Sequence, residues 1–397
     1  MARELITIQQ LVPGMYIDEI KCGLRERMRI GETRNFIIES QNEIALIAKL
    51  GIKSLYIDPE KGLNVYEGPD EDELAQLENE TFREPRSLEE ELHDARIILS
   101  KASATLKNSI GEIRSGGKIK MEPVRLLLEE IYSSVSENKD AIVTVCRKKK
   151  KDGYVLEHSV SHCALMMAFG RTMGMAKDEL LDVGLGGLFH DIGTIRIPDA
   201  ILSKPGKLTS EELDVIKKHP SWGGEVMINS GTFPEKAISI AMEHHERYDG
   251  TGYPYQLKGN DISIVGQMAS IADVYDASIS IRPYGAAEDP CQVIKNLFQG
   301  AGKLFHMDMV QQFIKTIGIY PVGTLARLES DKLGIVIKQN KNLTQPVVRI
   351  VYDLKNNSYL PPKDIDLSHV GGRGDKVVAA ESPEKWKIFP GRFMFAE

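Results

Sequence analysis

Six of the nine histidines in this 397-residue chain fall between His158 and His245, in a stretch where helical apolar periodicity dominates. In order they are His158, His162, His190, His219 and the pair His244–His245. Asp191 directly follows His190, and Asp273 and Asp276 come next in IADVYDA. GLGGLFHD reads as an apolar helix ending in a His-Asp dipeptide, and AISIAMEHHERYDG carries two more histidines to the end of another. Asp273 and Asp276 are three residues apart and so share one helix face. Taken singly, each histidine reads as a hydrogen-bonded core or surface residue. Several at the polar ends of buried helices within one segment argue for a shared set of ligands.

Neutral imidazoles and carboxylates suit manganese, iron or zinc. Adjacent helical residues point about 100° apart, given about 3.6 residues per turn. His190 and Asp191 therefore cannot face one ion in the same way, although a carboxylate can bridge two ions while its neighbour binds one. A two-metal centre suits phosphodiester hydrolysis: one ion acidifies a bound water to hydroxide, and ions about 3.5–4 Å apart clamp attacking and leaving oxygens. Such chemistry requires no serine or cysteine nucleophile. The residues alone point to metal-assisted hydrolysis.

The rest of the chain sets bounds. Its length suggests two or three domains, and 42% hydrophobic with 27% charged residues describes an ordinary globular protein. A formal charge of −7 argues against DNA or RNA as partner but not against a small anionic ligand in a local basic pocket. Four scattered cysteines (Cys22, Cys146, Cys163, Cys291) with no CxxC pair fit free thiols in a reducing compartment. No signal pattern opens the chain and no apolar run approaches membrane-spanning length, so the expected location is cytoplasmic.

The predicted fold class is mainly α, with a small N-terminal α/β domain and a C-terminal β-rich extension. Residues 1–80 form the α/β module: TRNFIIES as a strand, NEIALIAKLGI as a helix, KSLYID as another strand, then an acidic linker from Glu67 to Glu80. Residues 81–150 form a helical connector ending in the basic run Arg147–Lys151, read as a solvated turn. Residues 151–319 hold the histidine-rich helices. Residues 320–397 contain GTLARL, LGIVIKQ, PVVRIVYDL and SYLPP, β-rich pieces of a small barrel or sheet.

HDIGTIRIPDAILSKPGKLT, HP, HHERYDGTGYP and IADVYDASISIRPY occur in that order, and together they resemble the HD-GYP family of cyclic di-GMP phosphodiesterases over roughly Glu157 to Gly318. HD alone is a weak signal; HD with HHExxDGxGYP is a specific one. The resemblance implies an HD-type helical core with metal ligands at His158, His190, Asp191, His219, His244, His245 and Asp273. Asp191 is the bridging carboxylate, and His190 and Asp191 carry catalysis. His162 falls on no ligand position and is read as a packing residue. Gly250, Gly252 and Pro254 shape a tight turn. On the family reading that loop lines the substrate cleft with Tyr253 and Gly252, and Asp276 joins it in substrate binding. Arg282, in RPY, is the expected phosphate clamp, because a guanidinium fork can engage phosphate through two bonds. The flanks resemble an uncharacterised domain often found ahead of HD-GYP domains and the C-terminal extension of the same proteins.

The chain also departs from the pattern. Many members read HDxGK, whereas Thr194 stands in the lysine position, with Arg196 two residues on as a partial substitute. Gly285 replaces a usual basic residue after RPY. Each lost charge-assisted phosphate contact is worth roughly 1.5–3 kcal/mol. Tyr154 occupies the position where some members carry a glutamate for a third metal, which implies a two-metal site. Three readings follow. The first is a hydrolase that opens cyclic di-GMP to pGpG and onward to GMP, using two divalent ions, iron or manganese, with zinc also open. The second is a catalytically weak cyclic di-GMP receptor. The third is an HD hydrolase for another cyclic dinucleotide. Protein partners would dock through the N-terminal module, and the oligomeric state is open, the helices joining the lobes being able to support a homodimer.

Overall fold

The computed structural model describes residues 3–20, 36–38, 44, 47, 54–59, 61–62, 88–146, 154–202, 204, 206–280, 287–369 and 374–394. Glu67–Glu80, Arg147–Lys151, Arg282 and Gly285 lie outside the described residues. The chain divides into two units, Met1–Pro85 and Arg86–Glu397.

In the first unit, β1 (Glu4–Thr7), β2 (Tyr16–Ile20), β3 (Phe36–Ile37) and β4 (Ser54–Ile57) form an antiparallel sheet in the order β1-β4-β2-β3. The period of two puts Leu55 and Ile57 on the buried face and leaves Ser54 and Tyr56 half-exposed. Ile6, Leu11, Met15, Ile17 and Ile38 complete that core with the helical residues Ile44 and Ile47, which at i and i+3 share one face. The small N-terminal sheet expected from TRNFIIES and KSLYID is present.

The second unit begins with two long helices, α1 (Leu88–Arg114) and α2 (Met121–Cys146), which pack together through Leu92, Ala95, Ala102 and Leu106 against Val124, Leu128 and Ile131. Asn138 interrupts α2 with extended backbone (φ −150°, ψ 94°). Its Oδ1 accepts from the Asp140 amide at 3.0 Å, so the side chain caps the helix that restarts behind it.

SVSHCALMMAFG, apolar nearly all round, is buried nearly all round: it forms the body of α3 (Tyr154–Thr172), the central helix of the unit. Against it pack α4 (Lys177–Phe189) and α8 (Ile264–Ser278). Between these two in sequence lie α5 (Ser210–Ile216), α6 (His219–Ser230) and α7 (Glu235–Glu243), preceded by the single turn Asp199–Leu202. After α8 come α9 (Pro290–Gly300) and α10 (Met307–Ile317), and two single-turn helices, Pro383–Trp386 and Gly391–Met394, follow the strands of the tail. The α3–α4 contact depends on Gly187, where a Cβ would come within 2.9 Å of the Cys163 Cα and 3.0 Å of its amide nitrogen.

The β-rich tail is a five-stranded antiparallel sheet, order β8-β7-β6-β5-β9, built from β5 (Leu325–Leu328), β6 (Lys332–Lys338), β7 (Val347–Asp353), β8 (Ser358–Asp366) and β9 (Val377–Ala380). Leu333, Ile335, Val348 and Ile350 from this sheet lie in the same buried cluster as Val160, Leu188 and Phe189. The extension therefore shares a core with the helices. The fold is the mainly helical class the sequence predicts, with one small sheet at each end.

Gly187→Ala is expected to destabilise the chain by about 1–3 kcal/mol, because the backbone of α3 cannot yield to the new methyl. Alanine's higher helix propensity offsets only part of this. Urea unfolding of the variant measures it, and an unchanged midpoint would show that α3 and α4 can separate freely.

Candidate metal centre

Each cluster residue sits where a helix begins or ends, apart from those inside α3 and α8. His158 lies in the second turn of α3. His190 is the residue after α4, and Asp191 follows it. His219 opens α6, with Pro220 next, where a missing N–H costs the helix nothing. His244 and His245 follow α7, and Asp273 lies inside α8.

The last carbonyls of a helix lack intrahelical partners, and three of these histidines use such groups. His190 Nδ1 donates to the Gly187 carbonyl at 2.8 Å, and His219 Nδ1 to Ile216 at 2.8 Å. His244 Nδ1 faces the carbonyls of Ala241 and Ile240 at 3.0 and 3.2 Å. His158 Nδ1 instead meets the Asp276 carboxylate at 2.5 Å. A carbonyl only accepts, so the neutral ring must carry its hydrogen on Nδ1, and the Nε2 lone pair is turned inward. Four Nε2 atoms thereby converge.

Asp191 stands between them. Its Oδ1 lies 3.2 Å from His219 Nε2 and 3.7 Å from His244 Nε2, while its Oδ2 lies 3.4 Å from His190 Nε2 and 4.0 Å from His158 Nε2. Asp273 adds Oδ1 at 3.1 Å from His158 Nε2 and Oδ2 at 3.6 Å from His245 Nδ1. Two groups of ligand atoms result, His158–His190–Asp273 and His219–His244–His245, each close enough to share an ion. One Asp191 oxygen faces each group. The structure thus brings together all seven residues that the sequence singles out as ligands.

The donor set fits a cation. His190 Nε2 is buried without a hydrogen-bond partner among the described residues. His219 Nε2 and His244 Nε2 lie 3.1 Å apart with both Nδ1 atoms turned to carbonyls, a close approach that a proton on His219 or a shared cation satisfies. Burial drives His244 far below the ordinary imidazole range and His245 down to about 3, with neighbouring histidines adding to it. Burial also opposes ionisation of Asp191 and Asp273, but His190 and His219 around the first, and His158 and His245 around the second, hold both carboxyls well below their usual range. Neutral imidazoles and ionised carboxylates are the protonation states a divalent metal requires.

Residues 145–309 match the family described as HD domain, and residues 4–124 match a domain of unknown function, DUF3391. The chain is 33% identical over 388 residues to a cyclic di-GMP phosphodiesterase of Pseudomonas aeruginosa, spanning 96% of this chain and 93% of that protein. The chain belongs to the HD-GYP family. Shorter matches are the cyclic di-GMP phosphodiesterase response regulator RpfG of Xanthomonas campestris (38% over 157 residues, 39% of this chain and 41% of that protein) and the 3'3'-cGAMP-specific phosphodiesterase 2 of Vibrio cholerae (36% over 143 residues, 36% and 27%).

Around the HD-GYP centre, Tyr253 stands beside His245 and Gly252 beside the residues that follow it. The Tyr253 ring lies 4.6 Å from that of His245, inclined by 31°. A Cβ on Gly252 would meet the Arg247 amide nitrogen at 2.4 Å, so only glycine lets the loop fold this closely onto the HHER turn. Gly250 supplies the positive φ of the same turn, at 83°. Glu246, fully buried, holds this loop by accepting from the amides of Tyr255 at 2.7 Å and Leu257 at 3.1 Å. Arg247 donates to Ser270 Oγ at 2.6 Å and lies over the Phe305 ring. Lys217 Nζ stands 6.0 Å from the Tyr253 ring centre. Sequence reading passed over Glu246, Arg247 and Lys217; the first two adjoin the histidine pair and Lys217 lies two residues before His219, a proximity that could have marked them.

Two expectations need correction. Asp276 is fully buried and its carboxylate is engaged by His158 and the Ser161 hydroxyl, so it does not line a substrate cleft. Arg196, expected as a partial substitute for the HDxGK lysine, is instead paired with Glu225 at 2.5 Å, and Thr194 Oγ1 donates to the Asp191 carbonyl at 2.8 Å. His162 packs as the sequence suggests: its Nε2 donates to the Ala269 carbonyl at 3.2 Å and its ring stacks on His190 with centroids 4.3 Å apart.

Burial, reinforced by His190, lowers His162 from 6.5 to about 3. The folded chain keeps this ring neutral while the unfolded chain protonates it below about pH 6.5. Stability supplied by the neutral ring is therefore lost as pH falls from about 6.5 toward 3. His162→Gln is expected to flatten that decline by up to about 1.4 kcal/mol per pH unit, measured by urea unfolding in chelator. An unchanged slope would assign the proton to another group.

Proposed function

We propose that this chain is a metal-dependent phosphodiesterase that hydrolyses cyclic di-GMP to pGpG, with further cleavage to GMP. The observation that carries the reading is Asp191, with one carboxylate oxygen toward each of two ligand groups. His158, His190 and Asp273 would hold one divalent ion, and His219, His244 and His245 the other, with Asp191 shared. Iron and manganese suit this mixed imidazole–carboxylate set, and zinc fits it too. Ions in such a centre supply Lewis acidity toward a phosphate oxygen and toward water.

The protein's own groups then orient and exclude. Asp191 and Asp273 remain anionic, so neither competes with a ligand for a proton. Tyr253 is held protonated well above its usual range by burial and by Asp273 and Asp191, and therefore faces a nucleotide as a neutral donor and stacking surface. Lys217, exposed beside that ring, is a cation within reach of a phosphate bound there. The curated relatives named for cyclic di-GMP, above all the Pseudomonas aeruginosa protein aligned over nearly its whole length, support this substrate. The Vibrio cholerae relative named for 3'3'-cGAMP keeps a second cyclic dinucleotide in view. Thr194, fixed on backbone, favours the weak-receptor reading as the alternative. The N-terminal sheet would carry the contacts to protein partners.

The deciding experiment follows cyclic di-GMP and 3'3'-cGAMP by chromatography with anaerobically purified protein of known metal content. Expected is conversion of cyclic di-GMP to pGpG that chelator and Asp191→Ala both abolish. Intact nucleotide recovered from protein carrying about two metals per chain would replace the hydrolase by the receptor. Preferential cleavage of 3'3'-cGAMP would change the substrate and leave the chemistry.

A further inference from the structure

The two aspartates of IADVYDA both reach one imidazole. Asp273 Oδ1 lies 3.1 Å from His158 Nε2, and Asp276 Oδ2 lies 2.5 Å from Nδ1 of the same ring. Being three residues apart on α8, they bracket the ring from one helix face. His158 differs in this from His190, His219 and His244, whose Nδ1 atoms face backbone carbonyls. It lies inside α3, where carbonyls are already used by the helix, so a side chain must supply the acceptor.

Asp276 is 0% exposed and Ser161 2% exposed, and the Ser161 hydroxyl donates to Asp276 Oδ1. Ser161 lies three residues after His158 on α3, so it reaches the carboxylate from the same helix face. A buried carboxylate is costly unless its oxygens are satisfied. Here one oxygen is taken by the imidazole and the other by the hydroxyl.

We infer that Asp276, braced by Ser161, is a positioning residue: it fixes the His158 ring and tautomer so that Nε2 offers its lone pair to the ion shared with His190 and Asp273. The inference rests on the metal-centre reading above. The anion on Nδ1 also raises the basicity of Nε2 as a ligand, an effect for which such outer partners characteristically cost 10–100-fold in metal affinity when removed. Asp276 would act through His158.

The test uses the full chain and Mn2+ titrated against a competing chelator, with the melting temperature read with and without metal. Asp276→Ala is expected to weaken Mn2+ binding about 10–100-fold and to shrink the metal-induced rise in melting temperature. Ser161→Ala is expected to lose less, in the same direction. Asp276→Asn should recover part of the loss, since its amide can accept from Nδ1 and donate to Ser161. Wild-type Mn2+ affinity in folded variants would overturn the inference. A raised KM for cyclic di-GMP with normal metal binding would overturn it in favour of a substrate contact. Should Asp276→Ala not fold, Ser161→Ala decides alone. A wild-type chain that binds no Mn2+ overturns the metal-centre reading, and this inference falls with it.

Discussion

The centre depends on where imidazole N–H bonds go. A helix leaves its last carbonyls unpaired, and an imidazole placed just past that end can take one of them. His190, His219 and His244 each do so with a carbonyl three residues back, from Gly187, Ile216 and Ala241. The same contact satisfies the helix end and commits Nδ1 as the donor. What is left is a lone pair on Nε2, aimed away from the helix that holds it. Three helix ends meeting at one point therefore create a concentration of lone pairs, and Asp191 is the anion they surround.

That arrangement is poor packing on its own terms. Nε2 of His219 and Nε2 of His244 face one another at 3.1 Å, and His190 Nε2 is buried without a hydrogen-bond partner among the described residues. Apolar helices on every side force these groups together. Val160, Cys163, Leu188, Phe189 and Ala241 lie in one large buried cluster, and Met166, Met268 and Ile271 in another. The cores hold in place a polar centre that would otherwise spread apart. Cation binding then acts as folding free energy in the linkage sense, stabilising the native state by RT ln(1 + [L]/Kd). His219 shows the competition directly. Burial opposes its protonation, but Asp191 outweighs that and raises its pKa, so a proton is what a metal must displace there.

Much of this was legible in the sequence because the ligands lie in short motifs at helix ends. GLGGLFHD and AISIAMEHHERYDG show both the helix and its end, and the motif order supplies the ligand list. The helical core and the β-rich tail follow from period and residue type. Asp276 was misread for a physical reason. Spacing shows that it shares a face with Asp273, but not that α3 presents the two nitrogens of one ring to that face. Arg196 is a similar case, since its ion pair with Glu225 of α6 depends on a partner 29 residues away. The break in α2 at Asn138 also escapes periodicity, because the apolar pattern continues on both sides of it.

The loop after the histidine pair shows how backbone amides are ordered without regular structure. Glu246 takes two of them, from Tyr255 and Leu257, and Glu243 takes the Ser263 amide at 2.8 Å and its hydroxyl at 2.6 Å. Burial raises the pKa of both glutamates, and the amides and the Ser263 hydroxyl they accept from pull in the opposite direction. Both follow from the helix that ends in His244: Glu243 is its last residue and Glu246 lies just beyond. One helix end therefore sets the imidazoles on one side and the Gly250–Pro254 loop on the other. Tyr253 reaches the His245 ring because Glu246 pins the chain two residues beyond it. Glu246 bonds to the loop amides, whereas the Nδ1 atom of His244 bonds to the helix carbonyls, so the two sets of contacts are distinct although they share a helix.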